Sequence, residues 1–134
     1  MADHAEEVLK AARTIAVVGL SRDPAKAAHS VPAAMQAAGF RVIPVHPSAD
    51  EILGEKAHRT LADIPEPVDI VDVFRPAPEA PGIAGQAVAI GAKALWLQQG
   101  IASAEARRIA EAGSLDYVED RCIAVVRALG QIRK

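Results

Sequence analysis

The segment Thr14-Ile15-Ala16-Val17-Val18-Gly19-Leu20-Ser21-Arg22-Asp23-Pro24-Ala25-Lys26 constrains this chain more than any other. Its apolar half is largely β-branched and does not alternate, the pattern of a strand buried on both faces. At Gly19 the composition turns polar and basic, and a glycine there permits both a sharp turn and a close backbone approach. Ser30 to Ala38 then reads as a helix closed by Gly39. Strand, glycine turn and helix in series offer backbone N–H groups and a helix dipole to a phosphate. The same series also suits a chain that needs only a tight turn between layers, and the residues alone leave both readings open.

The rest of the chain repeats this alternation. Residues 4–12 read as a short amphipathic helix with Val8 and Leu9 inward, and 14–18 as the first strand. A second strand covers 41–45, with Pro44 placing it near an edge or a ligand opening. Residues 53–61 read as irregular with at most a short turn, 68–74 as a third strand, and about 79–91 as a helix. A fourth strand spans 94–97, a helix capped by Ser103 covers 104–112, a fifth strand spans 115–118, and 121–129 closes as a short helix or extended segment. Strands alternating with helices over short links predict a three-layer, Rossmann-like open parallel sheet of about five strands with helices on both faces. With 134 residues and no linker or repeat, residues 1–134 are expected to form a single domain.

Charge and cysteine content exclude several functions. A formal net charge of −2 and a pI near 6.1 give no basic field for nucleic acid or an anionic membrane. A single cysteine cannot build an internal disulfide framework or a cysteine-based zinc site. The first residues are acidic, and no apolar run approaches the roughly 20 residues of a membrane span. The expectation is a soluble, cytoplasmic protein.

In an open parallel sheet a ligand lies beyond the carboxyl ends of the strands. The residues found there are Gly19, Leu20, Ser21 and Arg22; His46 and Pro47; Phe74, Arg75 and Pro76; Gln98, Gln99 and Gly100; and Glu119, Asp120, Arg121 and Cys122. Cations, amides, prolines, an imidazole and a thiol suit a phosphorylated organic ligand better than a metal, and no metal site is expected. Neither G-x-x-x-x-G-K-[ST] nor G-x-G-x-x-G occurs. A dinucleotide site also wants an acid at the end of the second strand, where His46 and Pro47 stand, so a nucleotide-linked oxidoreductase is disfavoured. Each candidate has a plainer reading. Arg22 and Lys26 can be solvated loop charges, and Arg75 can pair with Asp72 or Glu79. His46 suits packing or hydrogen bonding better than base catalysis, and Cys122 can be a small buried apolar residue. Trp96 belongs to the core, while Asp69 and Asp72, three apart on a strand, face opposite sides.

V-V-G-L-S-x-x-P-x-K, P-V-x-P, G-E-K-x-H-x-x-L-x-D-I-P, D-I-V-D-V-F-R, W-x-Q-x-G-I and D-R-C occur in that order. The ordered set resembles the small stand-alone CoA-binding domain proteins, similar in fold to the CoA-binding domain of the succinyl-CoA synthetase α subunit, over about residues 12–127. The resemblance implies that Gly19, Ser21, Arg22 and Lys26 meet the phosphates of coenzyme A. It implies further that Val45, His46 and Pro47 lie along the ligand, that Phe74, Arg75 and Pro76 flank its nucleotide, and that Gln98, Gln99, Gly100 and Ile101 border its pantetheine end. Cys122, past the fifth strand on the same edge, is placed near the ligand thiol. Two departures stand out: His46 where such proteins commonly carry Asn, and Ala28 where they commonly carry Ser. The resemblance implies CoA or acyl-CoA binding without catalysis, since the phosphorylated histidine of the ligases lies in a second domain that these residues do not supply. The alternative is a CoA-binding subunit of an acyl-CoA ligase or transferase that acts with a protein partner.

Overall fold

The computed structural model describes residues 3–134. In chain order its elements are α1 (His4–Lys10), β1 (Thr14–Val18), α2 (Ala27–Ala37), β2 (Arg41–Val45), β3 (Glu51–Ile52), β4 (Glu55–Lys56), β5 (Ile70–Val73), α3 (Ala80–Ala89), β6 (Ala94–Leu97), α4 (Ala104–Ala112), β7 (Asp116–Val118) and α5 (Ile123–Leu129). Five strands form one parallel sheet in the order β2-β1-β5-β6-β7, with β2 at an edge as Pro44 requires. Successive side chains on each strand go to opposite faces. Ile15, Val17, Ile70 and Trp96 therefore join Leu9, Met35, Ile123 and Val126 from α1, α2 and α5 on one face. Ala16, Val71, Val73, Leu95 and Leu97 meet Ile83, Ala84, Ala87, Ala106 and Ala110 from α3 and α4 on the other. Both faces are apolar apart from Asp72, so the strands read as nearly continuous hydrophobic runs.

β1, β2, β6 and α4 have the expected bounds, and the other strands and most helices shrink by one to three residues at an end. Two differences have identifiable causes. α2 begins at Ala27 rather than Ser30, so Pro32 lies inside the helix. Proline has no N–H to give the carbonyl four residues back, that of Ala28. That carbonyl accepts instead from the Ser21 N–H at 3.0 Å, which ties the glycine loop to the helix. The segment expected to be irregular contains a small hairpin, β3–β4, turned by Leu53 at φ 58° and Gly54 at φ 74°. A leucine in the left-handed region runs against its local preference, so the turn leaves no ordinary signature.

Asp72 stands in the middle of the sheet, level with Val17 on β1 and Trp96 on β6, and is only 1% exposed. Its Oδ1 has no hydrogen-bond partner among the described residues. Burial pushes its carboxyl well above the ordinary carboxylate range, which favours the neutral form. An acid whose native pKa is raised contributes stability that is complete below its unfolded value. That contribution is lost as pH rises toward the native value. The non-ionising variant Asp72→Asn is therefore expected to gain stability relative to the parent as pH rises from 4 to 7 in urea titrations; a difference constant with pH would show that Asp72 titrates normally.

Candidate functional site

β1 leads through α2 to β2 on one side, while β5, which pairs with its other side, leads through α3 to β6. The loops leaving β1 and β5 thus diverge, and the sheet opens between their carboxyl ends. The rim is built from backbone hydrogen bonds: Gly19 N–H donates to Val45 O at 3.2 Å and Phe74 N–H to Val18 O at 2.9 Å. Gly19 sits at φ +92°, and a Cβ there would lie 2.8 Å from the Phe74 carbonyl oxygen and 2.9 Å from Arg75 Cδ. Only a glycine lets these two loops pass so closely.

A cavity of about 700 Å³ lies against this crossing. Gly19, Leu20, Ser21 and Lys26 come to it from the β1 loop and α2, Val45, His46 and Pro47 from the end of β2, and Phe74 and Arg75 from the end of β5. A second cavity of about 640 Å³ shares Ala28, Phe74 and Arg75 with the first and continues along the edge past Val31, Pro76, Gln98, Gly100, Ile101 and Cys122. The two form one trough. Every residue that the resemblance placed at the ligand lines it except Arg22, which is exposed on the β1 loop; Glu119, Asp120 and Arg121, which follow the last strand, line neither cavity.

Charge is concentrated at the first cavity. Lys26 holds the N-cap position of α2 without a side-chain cap bond, and the first turn carries no acid, so the dipole and N–H groups at that end are unopposed. Arg75 is paired with Glu79, the second of its two expected partners, at 2.8 Å. His46 is a fixed acceptor: its Nδ1 receives the Ser48 and Ala49 N–H groups at 3.0 and 2.9 Å. An Asn carboxamide oxygen can fill the same role, and here the arrangement holds the imidazole as the Nε2–H tautomer. Burial first, then the charges of Arg22 and Arg59, pull this imidazole below its ordinary value of 6.5. Arg22 is thus felt at the site although it does not line it.

The second cavity is braced from below. Trp96 Nε1 donates to Arg121 O at 2.8 Å, and Gly100 N–H donates to Asp120 Oδ1 at 2.7 Å. Gln98 Oε1 accepts from Ile123 N–H at 3.0 Å. These bonds hold the loops after β6 and β7 together and set Cys122, half-buried, at the start of α5.

The model of the CoA binding domain matches residues 13–128. The chain belongs to the CoA-binding domain family. It is 41% identical over 124 residues to the protein YneT of Bacillus subtilis (strain 168), covering 92% of both chains. The solved structure of cell-free ID.343 from Thermus thermophilus superposes with a TM-score of 0.89 at 36% identity, covering 96% of this chain and 99% of that one. Against acetate–CoA ligase [ADP-forming] II of Archaeoglobus fulgidus the identity is 31% over 83 residues, 60% of this chain but only 12% of the ligase. The family thus includes both chains of this length and segments of much longer ligases.

Arg59 and Thr60 also line the first cavity and are not legible as site residues in the sequence. His46 N–H donates to His58 O at 2.9 Å and His58 N–H donates to Pro44 O at 3.0 Å, a bridge that folds the hairpin's return onto the end of β2. The G-E-K-x-H motif marks this stretch, but nothing in its pattern says that it comes back to the second strand. Among the described residues no group of three or more His, Cys, Asp or Glu side chains converges to hold a metal ion, and no helix is long and apolar enough to cross a membrane.

Two outcomes are expected. Gly19→Ala should cost about 1–3 kcal/mol in urea denaturation, and Arg75→Ala should not rescue it, because the nearer obstacle is the Phe74 backbone; rescue would place the strain in the arginine instead. Proton NMR of the His46 ring should give a midpoint below 6.5 that rises in Arg59→Ala, and a midpoint at or above 6.5 would contradict the buried, cation-flanked setting.

Proposed function

We propose that this protein binds coenzyme A, or an acyl-CoA, in the trough at the carboxyl edge of the sheet, and that it does so without catalysis of its own. The observation that carries the reading is a chain of the CoA-binding domain family with two adjoining cavities at the point where the strand order reverses. In this reading the phosphates lie in the first cavity, at the uncapped amino end of α2, with Lys26 and Ser21 beside them and Arg59 across from them. The nucleotide runs along Val45, His46 and Pro47, and Phe74, Arg75 and Pro76 form the saddle over which the ligand passes. Gln98, Gly100, Ile101 and Cys122 then border its pantetheine end. Arg22 contributes through its charge alone.

The same residues speak against catalysis. His46 has its Nδ1 committed to two backbone N–H groups and is biased toward its neutral form, so it is not poised as a base for a nucleophile. Likeness to the acetate–CoA ligase supports a second reading, a CoA-binding subunit acting with a partner chain that carries the chemistry. Affinity capture from the native source separates the two, since co-purification of a ligase chain in fixed proportion favours the second.

Saturation with CoA at about 100 times its dissociation constant should stabilise the fold by roughly 2.7 kcal/mol. Lys26→Ala should weaken binding roughly tenfold and flatten its dependence on salt, because a charge-assisted phosphate contact is lost. Thermal unfolding and titration calorimetry read both. No shift with millimolar CoA would sink the reading, and an unchanged affinity in Lys26→Ala would move the phosphates toward Arg59.

A further inference from the structure

The two halves of the trough differ in chemistry. The first is polar and cationic. The second is walled by Val31, Phe74, Pro76, Ile101 and Cys122, and its one cation, Arg75, is already paired with Glu79. Gln98 borders this second cavity although it is only 5% exposed. Its Oε1 accepts the Ile123 N–H at 3.0 Å, which fixes the orientation of the carboxamide. Among the described residues no hydrogen bond uses its Nε2, and that nitrogen is not one of the side-chain atoms closed off from solvent, so an amide donor stands open to an apolar cavity. Among apolar walls, a ligand carbonyl is the acceptor that such a donor, held in a fixed orientation, would recognise.

Resting on the CoA reading above, we infer that the second cavity is an acyl site: the protein takes the thioester of CoA with a short aliphatic acid in preference to free CoA. In this arrangement Gln98 Nε2 donates to the thioester carbonyl and the apolar walls cover the chain. A free thiol would leave that donor without a carbonyl at this place and the apolar walls wet. A carbonyl followed by an alkyl chain satisfies both. The volume agrees, since 640 Å³ lies well within the range of small-molecule sites and exceeds what a thiol needs.

The test is calorimetric titration of the unmodified protein with CoA, acetyl-CoA, butyryl-CoA and hexanoyl-CoA, and with S-hexyl-CoA, a thioether that has the chain but no carbonyl. Each methylene that enters an apolar site is worth about fourfold in affinity. Hexanoyl-CoA is therefore expected to bind at least about tenfold more tightly than CoA, with acetyl- and butyryl-CoA in between. Hexanoyl-CoA should also exceed S-hexyl-CoA. In Gln98→Glu, where a carboxylate still accepts from Ile123 N–H but offers no N–H, the ratio of hexanoyl-CoA to S-hexyl-CoA affinity should fall to one or below. Equal affinity for CoA and every acyl form overturns the acyl site while leaving CoA binding intact, and a ratio unmoved by Gln98→Glu overturns the assignment of Gln98. No binding by any of the five ligands overturns the CoA reading itself.

Discussion

The approach of the β1 loop to the β5 loop at Gly19 is the contact on which the rest of the site depends. A parallel sheet whose order reverses beside its first strand must send neighbouring loops apart, and the space between them is the crevice that the architecture itself supplies. Here the loops first cross within 2.8 Å of where a side chain on Gly19 would begin. That closeness lets Phe74 and Arg75 stand at once in the wall of both cavities. Widening the crossing would separate the trough into two unrelated dents.

Several local irregularities serve the same edge. Pro32 inside α2 costs the helix one hydrogen bond, and the carbonyl it frees holds the Ser21 N–H. The glycine loop is thereby anchored at both ends, to Val45 through Gly19 and to α2 through Ser21. The β3–β4 hairpin, turned on a strained leucine, brings Arg59 and Thr60 to the mouth of the first cavity. On the far side Gln98 spends its oxygen on the start of α5 and leaves its nitrogen to the second cavity. In each case a local arrangement leaves a polar group placed at the carboxyl edge of the sheet.

Much of this was legible in the residues. Thr14 to Val18, Arg41 to Val45 and Ala94 to Leu97 are short apolar runs bounded by turn residues, and burial on both faces is the condition that produces such runs. The residues after each strand could therefore be read as neighbours, and the structure brings those singled out into one trough apart from Arg22 and, after the last strand, Glu119, Asp120 and Arg121. The early start of α2 was not legible, because proline near a helix start is usually found in its first turn. The hairpin was hidden for a similar reason, since two-residue strands carry no periodicity and Leu53 disguises the turn.

The sequence by itself determined the alternation of strands and helices, the edge position of β2 and the family to which the chain belongs. The alternation follows from burial and periodicity, the edge from Pro44, and the family from the resemblance of the ordered motifs, all of them written in the chain itself. Only the tertiary structure decided that Asp72 is buried in mid-sheet without a partner on Oδ1, that the His46 N–H is taken by the His58 carbonyl, and that Arg59 and Lys26 line the same cavity. Each of those outcomes depends on hydrogen bonds, packing and desolvation contributed by residues distant in sequence. No local pattern records which groups will meet once the sheet has closed.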